Sequence, residues 1–332
     1  MRKVKWGILG LGNIAHKFCH DLIMENGSVL EAVASSSIER AKSFAERYKA
    51  KKYYGDYDEL LSDSDIEIIY IASLHPDHYR QSIEVMKSGK AVLCEKPIAM
   101  NQNQVQSMIK VSAMQKVFLM EGLWTRFNPN LKRALQLCKD GEIGEITYIN
   151  ASFNFNGMAR EGDSRIFDIQ KGGGALLDIG IYPIFLSYLF LGFPIRILAS
   201  SIKSEQNIDL QTSIIFQYEG AQSILHCGFK NNEQMVSRIC GTKGQIQINH
   251  PWHNPSSITL FKDGNEPVEM GIKIEGKGYI YEIRECNKSF REGKTQSQNW
   301  SHQNSFELIS LLDLIRSKSG LIYPDDDSNL LT

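Results

Sequence analysis

Features typical of an exported, membrane-spanning or nucleic-acid-binding protein are absent from this 332-residue sequence. Its six cysteines are dispersed without a CxxC pair, which is typical of free thiols in a reducing cytosol. No apolar run reaches the roughly 20 residues that cross a bilayer. The most apolar stretch, 179–193, is interrupted by Gly180, Pro183 and Gly192 and predicts a buried helix. No long apolar segment follows the basic N-terminus, so we expect no signal peptide and a cytoplasmic location.

An excess of charge of either sign is also missing. Lys and Arg total 37 and Asp and Glu total 38, which gives a formal net charge of −1. The basic residues are scattered and form no stripe that could follow a phosphate backbone, so we expect no nucleic-acid partner. No group of His, Cys and Asp has metal-ligand spacing, and we expect no metal.

The first third of the sequence alternates strands with helices, which predicts a parallel sheet with right-handed crossovers. The predicted strands are 4–9, 29–34, 66–72, 91–95 and 117–120. The composition, with 42% hydrophobic residues, is that of a folded chain, and its length suits two domains. We therefore expect an α/β fold whose first domain, residues 1–122, is a doubly wound parallel sheet.

Beyond residue 122 the pattern changes to Ile-, Val-, Phe- and Thr-rich runs with short turns, which is typical of antiparallel strands. The predicted strands are 146–154, 195–203, 211–218, 221–229, 234–241, 244–248 and 257–262, and the predicted helices are 129–140, 278–292 and 302–318. Residues 123–332 are thus predicted to form an α+β domain with an open, mainly antiparallel sheet. One face of such a sheet is left for a partner, so we expect a homodimer through it.

A glycine turn follows the first predicted strand and opens the first predicted helix. Gly10, Gly12 and Ala15 match the G-x-G-x-x-[GA] fingerprint of a dinucleotide-binding Rossmann unit. Gly10 allows the tight turn, and Gly12 lets the backbone approach a pyrophosphate at the helix N-terminus, where Asn13 and Ile14 lie. The alternative is a glycine turn without a ligand, but the strand before it and the helix after it favour the nucleotide site.

The end of the second strand indicates which nicotinamide cofactor is bound. NAD sites carry an acidic residue there, whereas NADP sites supply hydrogen-bond donors. Glu31 lies too early on the strand, and Ser35, Ser36 and Ser37 follow it, with Arg40 one helical turn later. This pattern favours NADP, with NAD as the alternative, although Ser37 would be a helix N-cap in either case.

Two further groups of residues carry chemistry. Glu95, Lys96 and Pro97 follow the fourth strand, where ligands bind in open α/β sheets, although a surface lysine before a turn would look the same. Asp178 and Tyr182, four residues apart behind a run of three glycines, are expected on one face of an apolar helix. The alternative is a Tyr–Asp hydrogen bond that only holds this helix in place.

With these motifs the sequence resembles the Gfo/Idh/MocA oxidoreductase family over nearly its whole length. Within the family it is most similar to the group of dihydrodiol dehydrogenases and NADP-dependent D-xylose dehydrogenases. Further stretches that carry this resemblance are 73–78, 120–127, 278–282, 300–302 and 313–316. Many members of the family have His where Tyr182 stands here, and Tyr is typical of the dihydrodiol and xylose group.

The resemblance implies a role for each residue of this set. Tyr182 would be the general acid/base for a hydride transfer, and the ammonium of Lys96 would favour its phenolate. Asp178 would orient the substrate or Lys96. The cofactor contacts implied beyond the glycine turn are Ser73, His75, His78, Glu95, Lys96, Trp124 and Arg126. The implied substrate contacts are Trp124, Phe155, Arg165, Asp178 and Tyr182, with Phe153 as a further wall, and for Trp124, Phe155 and Arg165 a packing or surface role stays open.

The function expected from these residues is an NADP-dependent dehydrogenase or reductase that acts on an aldose or a cyclic polyol. One alternative is oxidation of trans-dihydrodiols of aromatic compounds. Others are a glycosidase that retains bound NAD and a cofactor-sensing regulator without catalysis, but a regulator would be expected to lose Lys96, Asp178 or Tyr182.

Overall fold

The computed structural model describes residues 2–158, 164–324 and 326. Its contacts divide the chain into two units. Unit 1 comprises Met1–Phe127 and Ile274–Phe306, and unit 2 comprises Asn128–Lys273 and Glu307–Thr332. Residues 274–306, which the sequence boundary at 122 assigned to the second domain, therefore pack with the first.

Strands and helices follow one another along the chain as the alternation predicts. The strands are β1 (Val4–Leu9), β2 (Ser28–Ala34), β3 (Lys52–Tyr54), β4 (Ile68–Ile71), β5 (Ala91–Glu95), β6 (Leu119–Gly122), β7 (Ile146–Asn154), β8 (Arg196–Lys203), β9 (Asp209–Gln217), β10 (Gln222–Gly228), β11 (Ser237–Gly241), β12 (Gly244–Ile248), β13 (Ile258–Lys262) and β14 (Val268–Met270). The helices are α1 (Asn13–Met24), α2 (Ile38–Tyr48), α3 (Tyr57–Ser62), α4 (His78–Lys87), α5 (Gln102–Gln115), α6 (Pro129–Lys139), α7 (Ile181–Leu191), α8 (Ile280–Arg291) and α9 (His302–Ser319).

Unit 1 is built on a six-stranded parallel sheet in the order β3-β2-β1-β4-β5-β6. The order reverses direction between β1 and β4, so the loops after these two strands diverge at the carboxyl edge of the sheet. The predicted doubly wound Rossmann sheet is confirmed. Apart from the short edge strand β3, the strands are almost fully buried, as expected for a parallel sheet covered on both faces.

Helix α8 joins unit 1 through buried polar contacts that its sequence does not reveal. Asp21, fully buried in α1, accepts hydrogen bonds from the backbone N–H groups of Lys277, Tyr279 and Ile280 at 2.8–3.1 Å. These groups lie at the start of α8, where the N–H groups have no partner within the helix. The carboxylate therefore anchors the helix from a position about 260 residues earlier in the chain.

Unit 2 contains an eight-stranded sheet in the order β14-β13-β12-β11-β7-β10-β9-β8. Its strands pair antiparallel except for β7 and β10, which are parallel. The open, mainly antiparallel sheet expected from the sequence is confirmed. Helix α7 packs one face, and most of its side chains are buried.

The apolar helix of unit 2 also has the length and composition of a membrane span. In the described part of the chain, Ile169–Leu191 has a mean hydropathy of 1.7, and 78% of that window is buried inside the protein. Such burial is typical of the core helix of a globular domain and agrees with the buried helix predicted around 179–193.

The other face of the unit 2 sheet exposes apolar side chains in register. Leu198 on β8 lies opposite Ile215 on β9, which lies opposite Ile224 on β10. All three are more than a third exposed, whereas the residues directly before and after each of them are buried or half-buried. Neighbouring side chains on one sheet face contact each other across strands, so the three form a continuous apolar row.

Candidate active site

The glycine turn after β1 is held against the end of β4. Gly10 has φ +87°, and a Cβ atom there would lie 2.9 Å from the carbonyl carbon of Ala72 and 3.0 Å from the nitrogen of Ser73. Both the dihedral angle and the backbone approach therefore require glycine. The turn brings the start of α1 to the carboxyl edge of the sheet.

Nothing within the described part of the protein requires a glycine at position 12. It is the N-cap of α1, its φ of −80° suits any residue, and a Cβ there would meet nothing within 4 Å. Asn13 is exposed beside it, whereas Ala15 is fully buried against the sheet. The open backbone at the positive end of a 12-residue helix fits the pyrophosphate of a dinucleotide.

The polar residues within and after β2 make different contacts. Glu31 is buried and forms an ion pair with Lys51 at 2.7 Å, so its carboxylate is engaged before the strand ends. Ser35 is buried, and Ser36 and Arg40 are exposed. Ser37 is the N-cap of α2, since its hydroxyl accepts the Arg40 N–H at 3.2 Å.

His78 links the ends of β4 and β5. It is fully buried, with Nδ1 2.8 Å from the carbonyl oxygen of Pro97 and Nε2 3.3 Å from that of Ser73. Burial lowers the pKa of its imidazole, which favours the neutral ring. Ser73 donates its hydroxyl to Gln81 at 2.6 Å, and His75 contacts the His78 ring edge to face, with ring centroids 5.7 Å apart. These contacts set the shape of the loop that carries the predicted cofactor residues Ser73 and His75.

A buried acidic group lies directly before Lys96. Glu95 ends β5, is 7% exposed and accepts a hydrogen bond from the hydroxyl of Tyr70 on β4. Burial raises the pKa of its carboxyl to about 7, against the opposing effects of the Tyr70 bond and the charge of Lys96. The motif residue Glu95 is therefore a buried carboxyl whose charge changes near neutral pH.

A second carboxyl in this region was missed by the sequence analysis. Glu282 on α8 is fully buried, and among the described residues neither of its oxygens has a hydrogen-bond donor. Burial raises its pKa well above the ordinary value, and the charges of Glu95 and Asp21 add to that effect. The sequence analysis used the stretch 278–282 only for the family resemblance and assigned Glu282 no role.

Glu121 on β6 fixes the chain after Lys96. It is 2% exposed and accepts hydrogen bonds from the Ile98 backbone N–H, the Trp300 indole N–H and the Ser305 hydroxyl at 2.8–3.1 Å. The Lys96–Pro97 peptide, which lies between Glu95 and Ile98, is cis. The Glu121 carboxylate also lies in a stretch that the sequence analysis used only for the family resemblance.

Trp124 and Arg126 follow β6 as predicted. Trp124 is 7% exposed and stacks on Tyr279, with ring centroids 4.7 Å apart and planes 9° apart. The guanidinium of Arg126 is largely buried, and burial lowers its pKa. Both residues lie in unit 1 with the glycine turn.

In unit 2, Asp178 and Tyr182 lie on consecutive parts of one helical segment. Leu176–Gly180, which contains Asp178, forms a π-helical turn, and α7 begins directly after it with Tyr182 in its first turn. The sequence predicts an α-helix over the whole segment, whereas the structure has a π turn over Leu176–Gly180. Such single π turns are frequent at functional sites.

Arg165 contacts the Asp178 carboxylate. The Nη2–Oδ2 distance is 3.4 Å, and the Asp178 side chain is only 14% exposed. The pair is partly shielded from water, which strengthens the attraction. Arg165 therefore holds Asp178 in place one turn before Tyr182.

The ring of Tyr182 is surrounded by aromatic side chains. It is 7% exposed, and its centroid lies 5.5 Å from that of Phe153 and 5.7 Å from that of His253. Phe153 and His253 stack on each other at 3.9 Å. Phe155, which the sequence placed in the pocket, contacts Phe229. His253 was missed, since it follows β12 in a loop without a motif.

In the described ranges, no three or more His, Cys, Asp or Glu side chains are grouped as metal ligands. The site residues that the structure brings together fall into two sets. Unit 1 carries the glycine turn, the residues after β2, the β4 and β5 loops, Trp124 and Arg126. Unit 2 carries Phe155, Arg165, Asp178 and Tyr182.

Two family models match the chain. Residues 4–123 match the oxidoreductase family with an NAD-binding Rossmann fold, and residues 131–247 match the GFO/IDH/MocA C-terminal domain. The chain belongs to the Gfo/Idh/MocA oxidoreductase family. It is an NAD(P)-dependent oxidoreductase.

Curated relatives match over nearly the whole chain. The trans-1,2-dihydrobenzene-1,2-diol dehydrogenase of Xenopus tropicalis is 34% identical over 331 residues, covering 96% of this chain and 99% of the relative. That of Mus musculus is 32% identical over 333 residues, covering 97% and 99%.

Solved structures share the fold at lower sequence identity. The aldose-aldose oxidoreductase of Caulobacter crescentus, complexed with glycerol, superposes with a TM-score of 0.87 at 21% identity and covers 96% of this chain and 98% of that one. A 3-ketoreductase from Actinomadura kijaniata, complexed with NADP and TDP-benzene, has a TM-score of 0.87 at 24% identity and the same coverage.

Proposed function

We propose that the protein transfers a hydride between NADP and a carbinol or carbonyl carbon of an aldose or cyclic polyol. Tyr182 is the acid/base of this reaction, and Lys96 assists it. The observation that carries the proposal is the environment of Tyr182, a nearly buried phenol among aromatic rings, one turn after a carboxylate held by Arg165. The names of the curated relatives, which are dehydrogenases of a cyclic diol, support this class of substrate.

A nicotinamide held by the glycine turn and the loops of unit 1 would take the hydrogen of the carbinol carbon with its bonding electron pair in the oxidative direction, and would return it in the reductive direction. In the oxidative direction the Tyr182 phenolate accepts the proton of the carbinol hydroxyl. Tyr182 returns that proton to the carbonyl oxygen in the reductive direction. A phenol needs help to lose its proton at neutral pH, and the Lys96 ammonium supplies it by favouring the phenolate. Asp178, held by Arg165, orients the substrate hydroxyl or Lys96.

We further propose that NADP is preferred to NAD. A carboxylate that would bind the ribose 2′-hydroxyl is not offered at the end of β2, because Glu31 is paired with Lys51 within the strand. Ser36 and Arg40 are exposed beyond the strand and can donate to a 2′-phosphate. Ser37 is used as the N-cap of α2 in either case.

A substrate panel tests the activity. Purified protein is given aldoses, cyclic polyols and trans-dihydrodiols with NADP or NAD, and the absorbance of the reduced nicotinamide is followed. Turnover with an aldose or polyol and NADP is expected. Turnover with none of these substrates would contradict the proposal, and tightly retained NAD without net reduction would favour the glycosidase alternative.

The oxidation of trans-dihydrodiols is a second candidate. The aromatic wall of Phe153 and His253 beside Tyr182 suits a flat ring as well as a sugar ring. The curated relatives carry this activity in their names. A ratio of kcat/KM that favours a dihydrodiol over every aldose in the same panel would select this candidate.

We also propose that two copies pair through the exposed face of the unit 2 sheet. The row of Leu198, Ile215 and Ile224 supports this, since a monomer gains nothing from exposing aligned apolar side chains. A cytoplasmic location is part of the same proposal, and the free cysteines, four of them buried, suit a reducing compartment.

A further inference from the structure

A buried carboxylate lies at the start of the helical segment that carries Asp178 and Tyr182. Asp209, the first residue of β9, is fully buried. Its Oδ2 accepts a hydrogen bond from the Leu176 backbone N–H at 2.7 Å and from the Thr212 hydroxyl at 3.0 Å. Leu176 is the first residue of the π turn, so Asp209 binds a backbone donor at the start of the turn that contains Asp178.

The glycine run before this turn makes room for the carboxylate. Gly174 has φ +117°, and a Cβ there would lie 2.4 Å from Oδ1 of Asp209 and 2.7 Å from the Tyr323 hydroxyl. Tyr323 donates that hydroxyl to the carbonyl oxygen of Gly173 at 2.7 Å. The space that a side chain would fill is thus occupied by the two groups that hold the turn. This accounts for Gly174, the last of the three glycines before Asp178.

The arrangement is costly for folding alone. Among the described residues no hydrogen-bond donor contacts Oδ1 of Asp209. Burial raises the pKa of this carboxyl to about 7, against the opposing bonds from Thr212 and the backbone of Leu176. A buried carboxyl with one oxygen left without a donor weakens a fold, so a role in placing the catalytic segment explains its presence better than packing does.

We propose that Asp209 is a positioning residue for catalysis. Through Leu176 it fixes the π turn, and thereby the places of the Asp178 carboxylate and the Tyr182 hydroxyl. Tyr323 holds the same glycine run from the C-terminal segment. The inference rests on the proposed function, because it assumes that Tyr182 moves the proton. Misplacing a reacting group by about 1 Å can cost on the order of 10²-fold in rate.

The test compares Asp209→Ala with Asp209→Asn in the purified enzyme. Asp209→Ala removes both hydrogen bonds, and we expect kcat to fall roughly 10- to 100-fold. The primary deuterium isotope effect on kcat should increase, since hydride transfer becomes slower than the other steps. The cofactor dissociation constant should stay within about twofold, because the predicted cofactor residues lie in unit 1. Asp209→Asn keeps an oxygen for Leu176 and Thr212 and is expected to restore most of kcat.

Asn130→Ala is the matched control for a purely structural loss. Asn130, on α6 in the same unit, is buried, accepts the Ile272 N–H at 2.7 Å and donates to the Ile272 carbonyl at 3.2 Å. Its removal should lower the melting temperature and leave kcat unchanged. If Asp209→Ala loses no more kcat than Asn130→Ala, or if Asp209→Asn fails to restore kcat above Asp209→Ala, the positioning role is overturned.

If Asp209→Ala does not fold, the Tyr323→Phe variant tests the inference instead. It removes only the hydroxyl bond to Gly173, and we expect kcat to fall about 3- to 10-fold with unchanged cofactor binding. A wild-type kcat and isotope effect in Tyr323→Phe would overturn the inference. The proposed function itself is tested by a different variant, and wild-type activity in Tyr182→Phe would overturn it.

Discussion

At the scale of single residues, the buried carboxyl of Glu282 is one of the groups that make stability depend on pH. Its folded-state pKa is raised above the unfolded value by burial and by the charges of Glu95 and Asp21. The protonated carboxyl therefore makes its full contribution to the free energy of unfolding below the unfolded pKa, near pH 4.3. That contribution is lost as pH rises towards the folded pKa. A neutral amide at this position should remove that loss.

Glu282→Gln is thus expected to stabilise the protein at neutral and higher pH. The free energy of unfolding should exceed that of the wild type by an amount of order 1–3 kcal/mol at pH 8, and by less at pH 5. Urea unfolding at the two pH values measures this difference. Glu59→Gln, at an exposed site, is the control and should change neither value. A difference for Glu282→Gln that shrinks as pH rises would contradict the assignment.

Arg40 is the residue on which the cofactor preference depends most. A guanidinium paired with a 2′-phosphate contributes about 1.5–3 kcal/mol, so Arg40→Ala should raise KM for NADP roughly 10- to 100-fold. KM for NAD should hardly change, because NAD has a hydroxyl at that position. Steady-state kinetics with both cofactors check this, and an equal loss for both would remove the argument for NADP.

At the scale of elements, the two glycines of the turn before α1 are expected to serve different purposes, Gly10 in folding and Gly12 in cofactor binding. Gly10 is required by its own backbone and by the nearness of Ala72, whereas a Cβ at Gly12 would meet nothing in the protein. We expect Gly10→Ala to lower the free energy of unfolding by about 1–3 kcal/mol. Gly12→Ala should keep the wild-type melting temperature and weaken cofactor binding at least about tenfold, because its methyl group occupies the approach of the pyrophosphate.

Thermal melting and cofactor titration of the two variants make this comparison. Wild-type cofactor affinity in Gly12→Ala would show that no phosphate binds at the start of α1. Wild-type stability in Gly10→Ala would show that the turn does not need its left-handed conformation.

Local patterns predicted most elements because each has a period or a turn residue of its own. The strands of the parallel sheet, the helix after the glycine turn and the antiparallel strands from β7 on were found in this way. The three-residue strands β3 and β14 were missed, since so short a run has no alternation. The π turn was missed too, because its residues are as compatible with an α-helix.

The candidate site likewise contains residues that a local sequence motif could predict and residues that it could not. Gly10, Gly12 and Lys96 lie in motifs next to strand ends, and Asp178 and Tyr182 follow a glycine run, so the sequence could select them. His253 and Asp209 lie in no motif, and Glu282 lies in a stretch used only for the family resemblance. All three gain their places through contacts between distant parts of the chain. Long-range packing of this kind leaves no local signal.

At the scale of the whole molecule, association of two copies is the remaining expectation. Light scattering should give twice the 37.6 kDa mass of the chain. Replacing Ile215 and Ile224 together by Lys places two charges in the apolar row and should give the monomer mass, with the melting behaviour of unit 1 retained. Lys substitution at the exposed Gln106 and Gln115 of α5 in unit 1, which is not part of this sheet face, is the control and should leave the dimer intact. A monomeric wild type would refute the dimer.

The proton transfer by Tyr182 is the central claim, and the Tyr182→Phe variant tests it most directly. It keeps the aromatic packing with Phe153 and His253 and removes only the hydroxyl. With the best aldose, polyol or dihydrodiol substrate and NADP, we predict that kcat falls about 10²- to 10⁴-fold while the cofactor dissociation constant is unchanged. A Tyr182→Phe variant that turns over at the wild-type rate would contradict the account.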